Sequence, residues 1–526
     1  MRYKGIWMTL MCIMFIVTSC DNDKLLELNQ NPNASEEIDM TFLLPTGQLQ
    51  VAGGRYENWR ANLIYSSTLI QHNASLAGYW SGDKYLLNEG YSSSLWDRYY
   101  PDPIKTLTHI VDQTAGVAES ENLNAMATIM RCFALHRLTD LYGAIPYSQA
   151  GRGLDGDQNW FPTYESQETV YGLLVDELRA ARDQMSGAGG TVGDQDIMYG
   201  GDVTQWQKFA NSLLLRVGMR MSNVNAGTAQ SVVEEAANHS AGVFTSNADN
   251  ARIVHEAGAQ GINFNGNSEV FTVGNGGEYA NARPSATFIS WMQDNNDPRL
   301  MIISGGVGDP LDRSSWDTDP ANQRGLPNGN DSETIVQVAL DAGWIANAED
   351  FSRDALFSFL NPLLYDLDDP YYFVSYAEVA FILAEAHLNG WNVPGDATTH
   401  FELGVAAAID NWVNYDGSLT VDAGTTGAYI ASLGFGAATQ ADQERMIGEQ
   451  YWAATYFNHL ESYANWRRTG FPVLTPVNYT GNVTGGVIPR RMQYNAGEVA
   501  SNPNAATAVS AQGEDNFLTR IWWDVN

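Results

Sequence analysis

The sequence predicts an all-α fold, a scaffold of paired helices carrying a large irregular, loop-rich region with few short strands. Two observations predict it. Apolar residues recur at helical spacing in segments that fall into consecutive pairs: 122–141 with 165–185, 203–222 with 229–239, 375–389 with 396–414, and two segments within 440–468. Between them run stretches rich in Gly, Asn and Asp, at 73–95, 242–284, 304–350 and 475–516. Structureless loops of that length are uncommon unless they are functional. Helix pairs joined by turns point to a helical-repeat scaffold, although no strict period of roughly 34 residues runs through the chain.

Taken in order, residues 1–19 read as an export signal. Arg2 and Lys4 precede an apolar run from Ile6 to Val17 that is too short to span a bilayer, and small residues then lead to Cys20. Val17-Thr18-Ser19-Cys20 resembles the lipobox of bacterial lipoproteins, in which Cys20 is lipidated and becomes the first mature residue. Residues 20–40 are expected to be the lipidated cysteine and a flexible tether, polar and Asn-Pro-punctuated from Asp21 to Ser35, and 41–526 a binding domain. Trp96, Tyr99 and Tyr100 begin a helix. Leu123, Met126, Ala127, Met130, Ala134, Leu138 and Leu141 line the helix at 122–141, where Cys132 reads as a buried, inert thiol. In 203–222 the apolar face is Trp206, Phe209, Ala210, Leu213, Val217 and Met221, and Thr204 with Gln207 forms an expected capping box. Ser375 and Glu378 repeat that device before Val379, Phe381, Ile382 and Ala386, and Gly390 ends the run. Thr334 to Val338 reads as a short strand inside an insertion.

Composition narrows the function. The net charge is −33, and it grows more negative once Arg2 and Lys4 leave with the signal. Such a surface repels nucleic acid and sets that partner aside. No stretch after the signal is apolar for the roughly 18 residues a spanning helix needs, so the lipid is the expected membrane contact. With Cys12 lost and Cys20 lipidated, Cys132 has no partner for a disulfide, and stability must come from burial in a large core. The chain holds 25 Tyr and 15 Trp, rings whose flat apolar face and polar edge suit sugar or peptide recognition.

A collinear set of short motifs spans nearly the whole mature chain. It comprises Glu27-Leu-Asn-Gln-Asn-Pro-Asn33, Asp140-Leu-Tyr-Gly-Ala-Ile-Pro-Tyr147, Trp206-Gln-Lys-Phe-Ala-Asn-Ser-Leu213 with Arg216, and Asn296-Asp-Pro-Arg-Leu300. It continues with Ala377-Glu-Val379, Ala384-Glu-Ala386, Trp466-Arg-Arg-Thr-Gly-Phe-Pro472 and Ile488-Pro-Arg-Arg491. The set resembles the SusD/RagB family of nutrient-binding outer-membrane lipoproteins, in its SusD-like branch. The resemblance implies tetratricopeptide-like helix pairs, exposure at the cell surface, and a SusC-like TonB-dependent outer-membrane transporter as partner. On that reading the protein captures an oligosaccharide or oligopeptide and passes it to the barrel.

Rings in loops are better binding candidates than rings on a helical stripe, because loops carry function on a rigid scaffold. The segment Ala77-Gly-Tyr79-Trp80-Ser-Gly-Asp-Lys-Tyr85 places Tyr79, Trp80 and Tyr85 among small residues, with Asp83 or Asn88 placed to bond hydroxyls. Trp316, flanked by Asp312, Asp317 and Asp319, is a second candidate, and Tyr279 with Asn263 a third. No cofactor is expected. Asp155-Gly-Asp157-Gln-Asn159 opens like a calcium loop, but Trp160 stands where the turn needs glycine, so no metal site is expected. The chain has no GxSxG elbow, Walker loop or HExxH. A binder rather than an enzyme is the expectation. The rival, a surface lipoprotein glycoside hydrolase, needs a pair of carboxylates flanking the scissile bond.

Overall fold

The computed structural model describes residues 38–257, 263–272 and 277–525; the signal, Cys20 and the tether segment 21–35 lie outside the described residues. The fold is mostly helical, as expected. The helices that build the scaffold are α1 (Leu44–Ala52), α2 (Lys105–Thr114), α3 (Glu121–Tyr142), α4 (Gln167–Gln184), α5 (Val203–Arg220), α6 (Ala226–Asn238), α7 (Tyr376–Leu388), α8 (Ala397–Asp410), α9 (Gln440–Ala454) and α10 (His459–Thr469). The pairs read from the sequence pack on one another: α3 on α4, α5 on α6, α7 on α8 and α9 on α10. Contacts of α4 with α5, α5 with α7 and α7 with α9 join successive pairs into a tetratricopeptide-like stack. Among the described residues no helix is long and apolar enough to cross a membrane.

Local signals explain the helix starts. At α7 the Ser375 hydroxyl accepts from the Glu378 N–H (3.3 Å) while the Glu378 carboxylate accepts from the Ser375 N–H (3.0 Å), so this capping box forms as expected. At α5 the expected box of Thr204 and Gln207 does not form. Asp202 caps instead, its carboxylate accepting from the N–H groups of Thr204 (2.8 Å) and Gln205 (3.2 Å). An ionised side chain makes the stronger cap at the positive end of a helix. Gln207 is thereby released to donate to the carbonyls of Arg182 and Met185 near the end of α4, a tie between helices.

The long inter-helix stretches are not structureless. They hold single helical turns, short helices and three two-stranded antiparallel ladders: β1 (Asn73–Ala74) with β3 (Arg283–Pro284), β2 (Ala251–Val254) with β6 (Pro370–Val374), and β4 (Ser304–Gly306) with β5 (Phe359–Leu360). The strand expected at Thr334–Val338 is a helix, Thr334–Asp341. Asp331 accepts from the N–H groups of Glu333 (2.9 Å) and Thr334 (2.8 Å) and starts it. Ile335 and Ala339, four residues apart, are its buried positions, in a small satellite core with Ala74, Leu326 and Phe357. A four-residue period buries one helical stripe where a strand would need every second residue inside. Cys132 is fully buried, and burial pushes its thiol well above the ordinary range.

The scaffold encloses a charged network at its centre. Arg216 on α5 pairs with Glu378 on α7 (2.6 Å) and lies 3.5 Å from Glu461 on α10. Arg220, one turn on, pairs with Glu461 (2.5 Å) and reaches Asp140 on α3 (3.3 Å). Tyr451 on α9 donates to both Glu378 and Glu461, and Tyr171 on α4 donates to Asp140, which also accepts from the Trp523 indole. The Arg216, Arg220, Glu378, Asp140 and Glu461 side chains are each at most 6% exposed. Although burial opposes the charge, Arg220 and Arg216 hold the Glu461 carboxyl down at about 2. Removing one member strands its partners as unpaired buried charges. Arg220→Met should therefore lower the unfolding free energy by roughly 3–5 kcal/mol in urea melts, and a loss under 1 kcal/mol would contradict the account.

Buried histidines set an acid limit. His459 and His136 are held down at about 3 and about 4 by burial, and His72, whose Nδ1 lies 2.9 Å from that of His459, is lowered well below its usual value by burial. The unfolded chain takes up these protons below about pH 6.5 while the folded chain refuses them, so stability falls as pH drops from 6.5 toward 4. Asp369, raised to about 8 by burial, acts in the opposite sense, and so do Glu57, Asp83, Asp366 and Asp515, also raised by burial; the histidines, whose unfolded value of about 6.5 falls inside the window, set the balance. The melting temperature should be lower at pH 5 than at pH 7; an equal or higher value at pH 5 would overturn this.

Candidate ligand-binding site

The ladder of β1 with β3 brings residues 73–85 against residues 278–284, with Asn73 opposite Pro284 and Ala74 opposite Arg283. The 75–84 loop is then nailed from below. The fully buried Lys84 ammonium donates to the carbonyls of Ser75 (2.8 Å) and Ala77 (3.3 Å) and lies 3.5 Å from Asp83. Asp83 accepts from the Asn328 side chain (2.6 Å) and the Gly329 N–H (3.3 Å). Asp83 is thus a buried anchor of the loop and not the hydroxyl-bonding group expected, and burial raises its carboxyl. Gly82 makes the fit possible: a Cβ there would stand 2.3 Å from the Ile64 carbonyl oxygen.

On this base the five expected rings fall into two groups. Trp80 is wholly enclosed (0% exposed) and Tyr85 nearly so (1%). The Trp80 indole donates to Glu278 (3.1 Å), and the Tyr85 hydroxyl accepts from the Val477 N–H (3.2 Å). Trp316, 9% exposed, stacks on Phe359 (4.7 Å between ring centres) and donates to the Asp309 carbonyl (2.7 Å). With no free face, these three rings cannot stack on a ligand in this conformation; they plug the core beneath their loops, which corrects the expectation of direct contact. Tyr79 keeps 39% of its surface exposed, and Tyr279 is half-buried. Asn263 holds His255 through its side-chain oxygen (2.9 Å), and Asn88 caps the turn Glu89–Ser92.

The accessible surface around Tyr79 is an aromatic platform. Its hydroxyl lies 2.7 Å and 2.9 Å from the two Glu278 oxygens, and the Asn281 amide donates to both the Tyr79 hydroxyl (2.9 Å) and Glu278 (3.1 Å). Burial and the Glu278 carboxylate hold the phenol protonated far above its usual range. Half-buried Trp59 meets Tyr79 at 6.1 Å and Tyr91 at 5.9 Å. The Arg60 guanidinium lies 3.8 Å over Tyr56, 4.8 Å over Trp59 and 5.3 Å over Tyr91, and Arg55 lies 5.2 Å over Trp59. Sequence reasoning missed Trp59, Tyr91 and Tyr56. The available signal was Arg55-Tyr-Glu-Asn-Trp-Arg60, a charged and aromatic run just after Gly53-Gly54 and before an apolar helical stretch. Sugar rings pair with such amphipathic surfaces through their C–H faces, while carboxylate and amide groups take hydroxyls.

Trp80 supports this surface from inside. Trp80→Ala should cost roughly 3–5 kcal/mol of stability through the cavity it leaves and the loss of one of the three hydrogen bonds to that Glu278 oxygen. Chemical denaturation tests this, and a change under 1 kcal/mol would place Trp80 outside the core.

Comparison with known proteins agrees with this architecture. The family model of SusD-like proteins, described as "Starch-binding associating with outer membrane", matches residues 32–495. Among solved structures, a chitin-binding protein is 31% identical, covering 93% of this chain and 100% of its own, with a TM-score of 0.79. A Bacteroidetes SusD-like protein, AC2a, is 26% identical over 93% of this chain and 100% of its own, with a TM-score of 0.79. A chitin-binding SusD homolog from Flavobacterium johnsoniae is 25% identical over 92% of this chain and 98% of its own, with a TM-score of 0.75. A search of curated proteins found no match. With a helix-pair scaffold, a loop region on top of it and a match over most of its length, the chain belongs to the SusD-like family.

Proposed function

We propose that this protein is a cell-surface glycan-binding lipoprotein, anchored through Cys20, which captures an oligosaccharide and delivers it to a SusC-like TonB-dependent outer-membrane transporter. The observation that carries the reading is the platform of Trp59, Tyr79 and Tyr91 beside Glu278 and Asn281, where accessible rings adjoin fixed hydrogen-bonding groups. The outer-membrane description of the family and the chitin-binding relatives support saccharide over peptide, with N-acetylglucosamine and glucose polymers as the first ligands to test.

The rival glycoside hydrolase draws less support. A catalytic carboxyl group must be free to give or take a proton. Glu278, the carboxylate at the platform, is instead engaged by Tyr79, Trp80 and Asn281. Binding and handover need no such freedom.

Tyr79→Ala should weaken glycan binding by about 1–3 kcal/mol while moving the melting temperature little, because it removes an exposed anchor and not a core residue. Calorimetric titration beside a thermal melt checks this, and unchanged affinity would remove Tyr79 from the site. Gentle detergent extraction should also co-purify the transporter, through an interface larger than the roughly 1,600 Å² of a standard contact, since a lid must seal a wide mouth. Repeated recovery of the lipoprotein alone would count against delivery.

A further inference from the structure

Next to the platform is a pocket of about 420 Å³ between the end of α1 and the segments 98–103, 255 and 263–269. The two surfaces are continuous: Arg55 lines the pocket and lies over Trp59, and Tyr56 lines the pocket beneath Arg60 and Arg98. Three residues of its wall each hold a polar atom that is buried and without a hydrogen-bond partner: Oε1 of Gln50, Nε of Arg55 and Nε2 of His255. Buried orphans of this kind are uncommon and each costs free energy until it is satisfied.

Their chemistry is specific. His255 is only 4% exposed, and its Nδ1 lies 2.9 Å from the Asn263 side-chain oxygen. Nδ1 therefore carries the proton and Nε2 presents a lone pair. Burial favours this neutral ring. Gln50 adds a second acceptor and Arg55 a donor. Of the charged groups in the wall, Glu57 accepts from the Gly54 N–H (2.8 Å) and Arg98 stands 3.8 Å from Asp102, while Glu269 adds a further carboxylate. Leu49, Pro103 and Phe264 supply apolar lining. A guest that fits has an N–H or O–H for the acceptors, an oxygen for the Arg55 N–H, and a small apolar group against the wall. The free atoms of Gln50 and Arg55 are enclosed in this structure, so a guest must turn these two side chains to meet them.

We propose that this pocket is a subsite for the acetamido group of an N-acetylated sugar whose neighbouring units lie on the platform. The amide N–H goes to Gln50 or His255, the amide oxygen to Arg55, and the methyl to the Leu49–Phe264 wall. A bare hydroxyl at the same carbon leaves the Arg55 donor and the wall unmatched, so the pocket discriminates between otherwise similar glycans. The proposal rests on the platform being the glycan site.

The test is calorimetric titration of the full mature chain with chitohexaose, with cellohexaose (the same linkage with a hydroxyl in place of each acetamido group), and with N-acetyl-trialanine as an amide without sugar. The parent should bind chitohexaose at least about tenfold more tightly than cellohexaose. Gln50→Met, checked by a melt, should lower chitohexaose affinity by about three- to tenfold, the worth of one hydrogen bond, and leave cellohexaose affinity unchanged; Arg55→Met, whose side chain also lies over Trp59, should lower chitohexaose affinity by more than it lowers cellohexaose affinity. Equal affinity of the parent for the two glycans, no chitohexaose binding at millimolar concentration, or full chitohexaose affinity in both variants would overturn the subsite. So would tight binding of the acetylated peptide alone. A Tyr79→Ala chain that keeps its affinity for both glycans, while Gln50→Met loses chitohexaose alone, would sink the platform reading and leave the pocket standing.

Discussion

Everything in this molecule depends on a cluster of charges sealed inside the helix stack. Arg216 and Arg220 on α5 reach Glu378 on α7, Glu461 on α10 and Asp140 on α3. Tyr451 and Tyr171 bring in α9 and α4. Apolar packing alone tolerates sliding of one helix along another, because it is not directional. A buried ion network does not, since a shift of one turn leaves charges unpaired in a medium that cannot solvate them. The network thereby fixes the relative heights of six scaffold helices. The same logic recurs elsewhere in the stack, where Arg467 donates to the Asp140 carbonyl near the end of α3 and Arg468 grips Glu385 of α7 with two bonds.

A rigid stack matters because the proposed binding surface is made of loops that have little rigidity of their own. Residues 73–85 hold their shape through one two-residue ladder, a buried Lys84–Asp83 pair and the bond from Trp80 to Glu278. The ladder and the Trp80 bond tie this loop to residues 278–284, Asp83 ties it to Asn328, and Gly82 sits against the segment Asn58–Ser67, which itself packs on α10. The exposed ring of Tyr79 and the half-buried rings of Trp59 and Tyr91 are therefore presented in fixed positions. Less ordering entropy remains to be lost when a ligand binds, which is the physical advantage of a preorganised site.

Much of the scaffold was legible in the sequence. The paired helices at 122–141, 165–185, 203–222, 375–389 and 440–468 announced themselves by apolar period, and the Ser375–Glu378 box marked its helix start to the residue. The misreadings share a cause: a local signal outweighed by a partner it could not see. Thr204 and Gln207 have the spacing of a capping box, but Asp202 is the better acceptor and Gln207 is needed by α4. Thr334–Val338 has strand composition, yet a start at Asp331 and a four-residue burial period make it a helix. The site was legible only as a neighbourhood. The loop around Tyr79 stood out by its composition, but an aromatic sequence does not say which ring faces out. Trp80 and Tyr85 point inward because Glu278 and residue 477, hundreds of positions away, wait there for their polar ends. Trp59 and Tyr91 join Tyr79 only through tertiary structure.

The central claim is that the exposed rings around Tyr79 hold a saccharide. A crystal structure of the mature chain soaked with an oligosaccharide that it binds in solution tests this most directly. The account predicts a sugar ring in van der Waals contact with Trp59 or Tyr79, with hydroxyls bonded to Asn281 or Glu278. Sugar bound elsewhere on the molecule, with this platform bare, would contradict it.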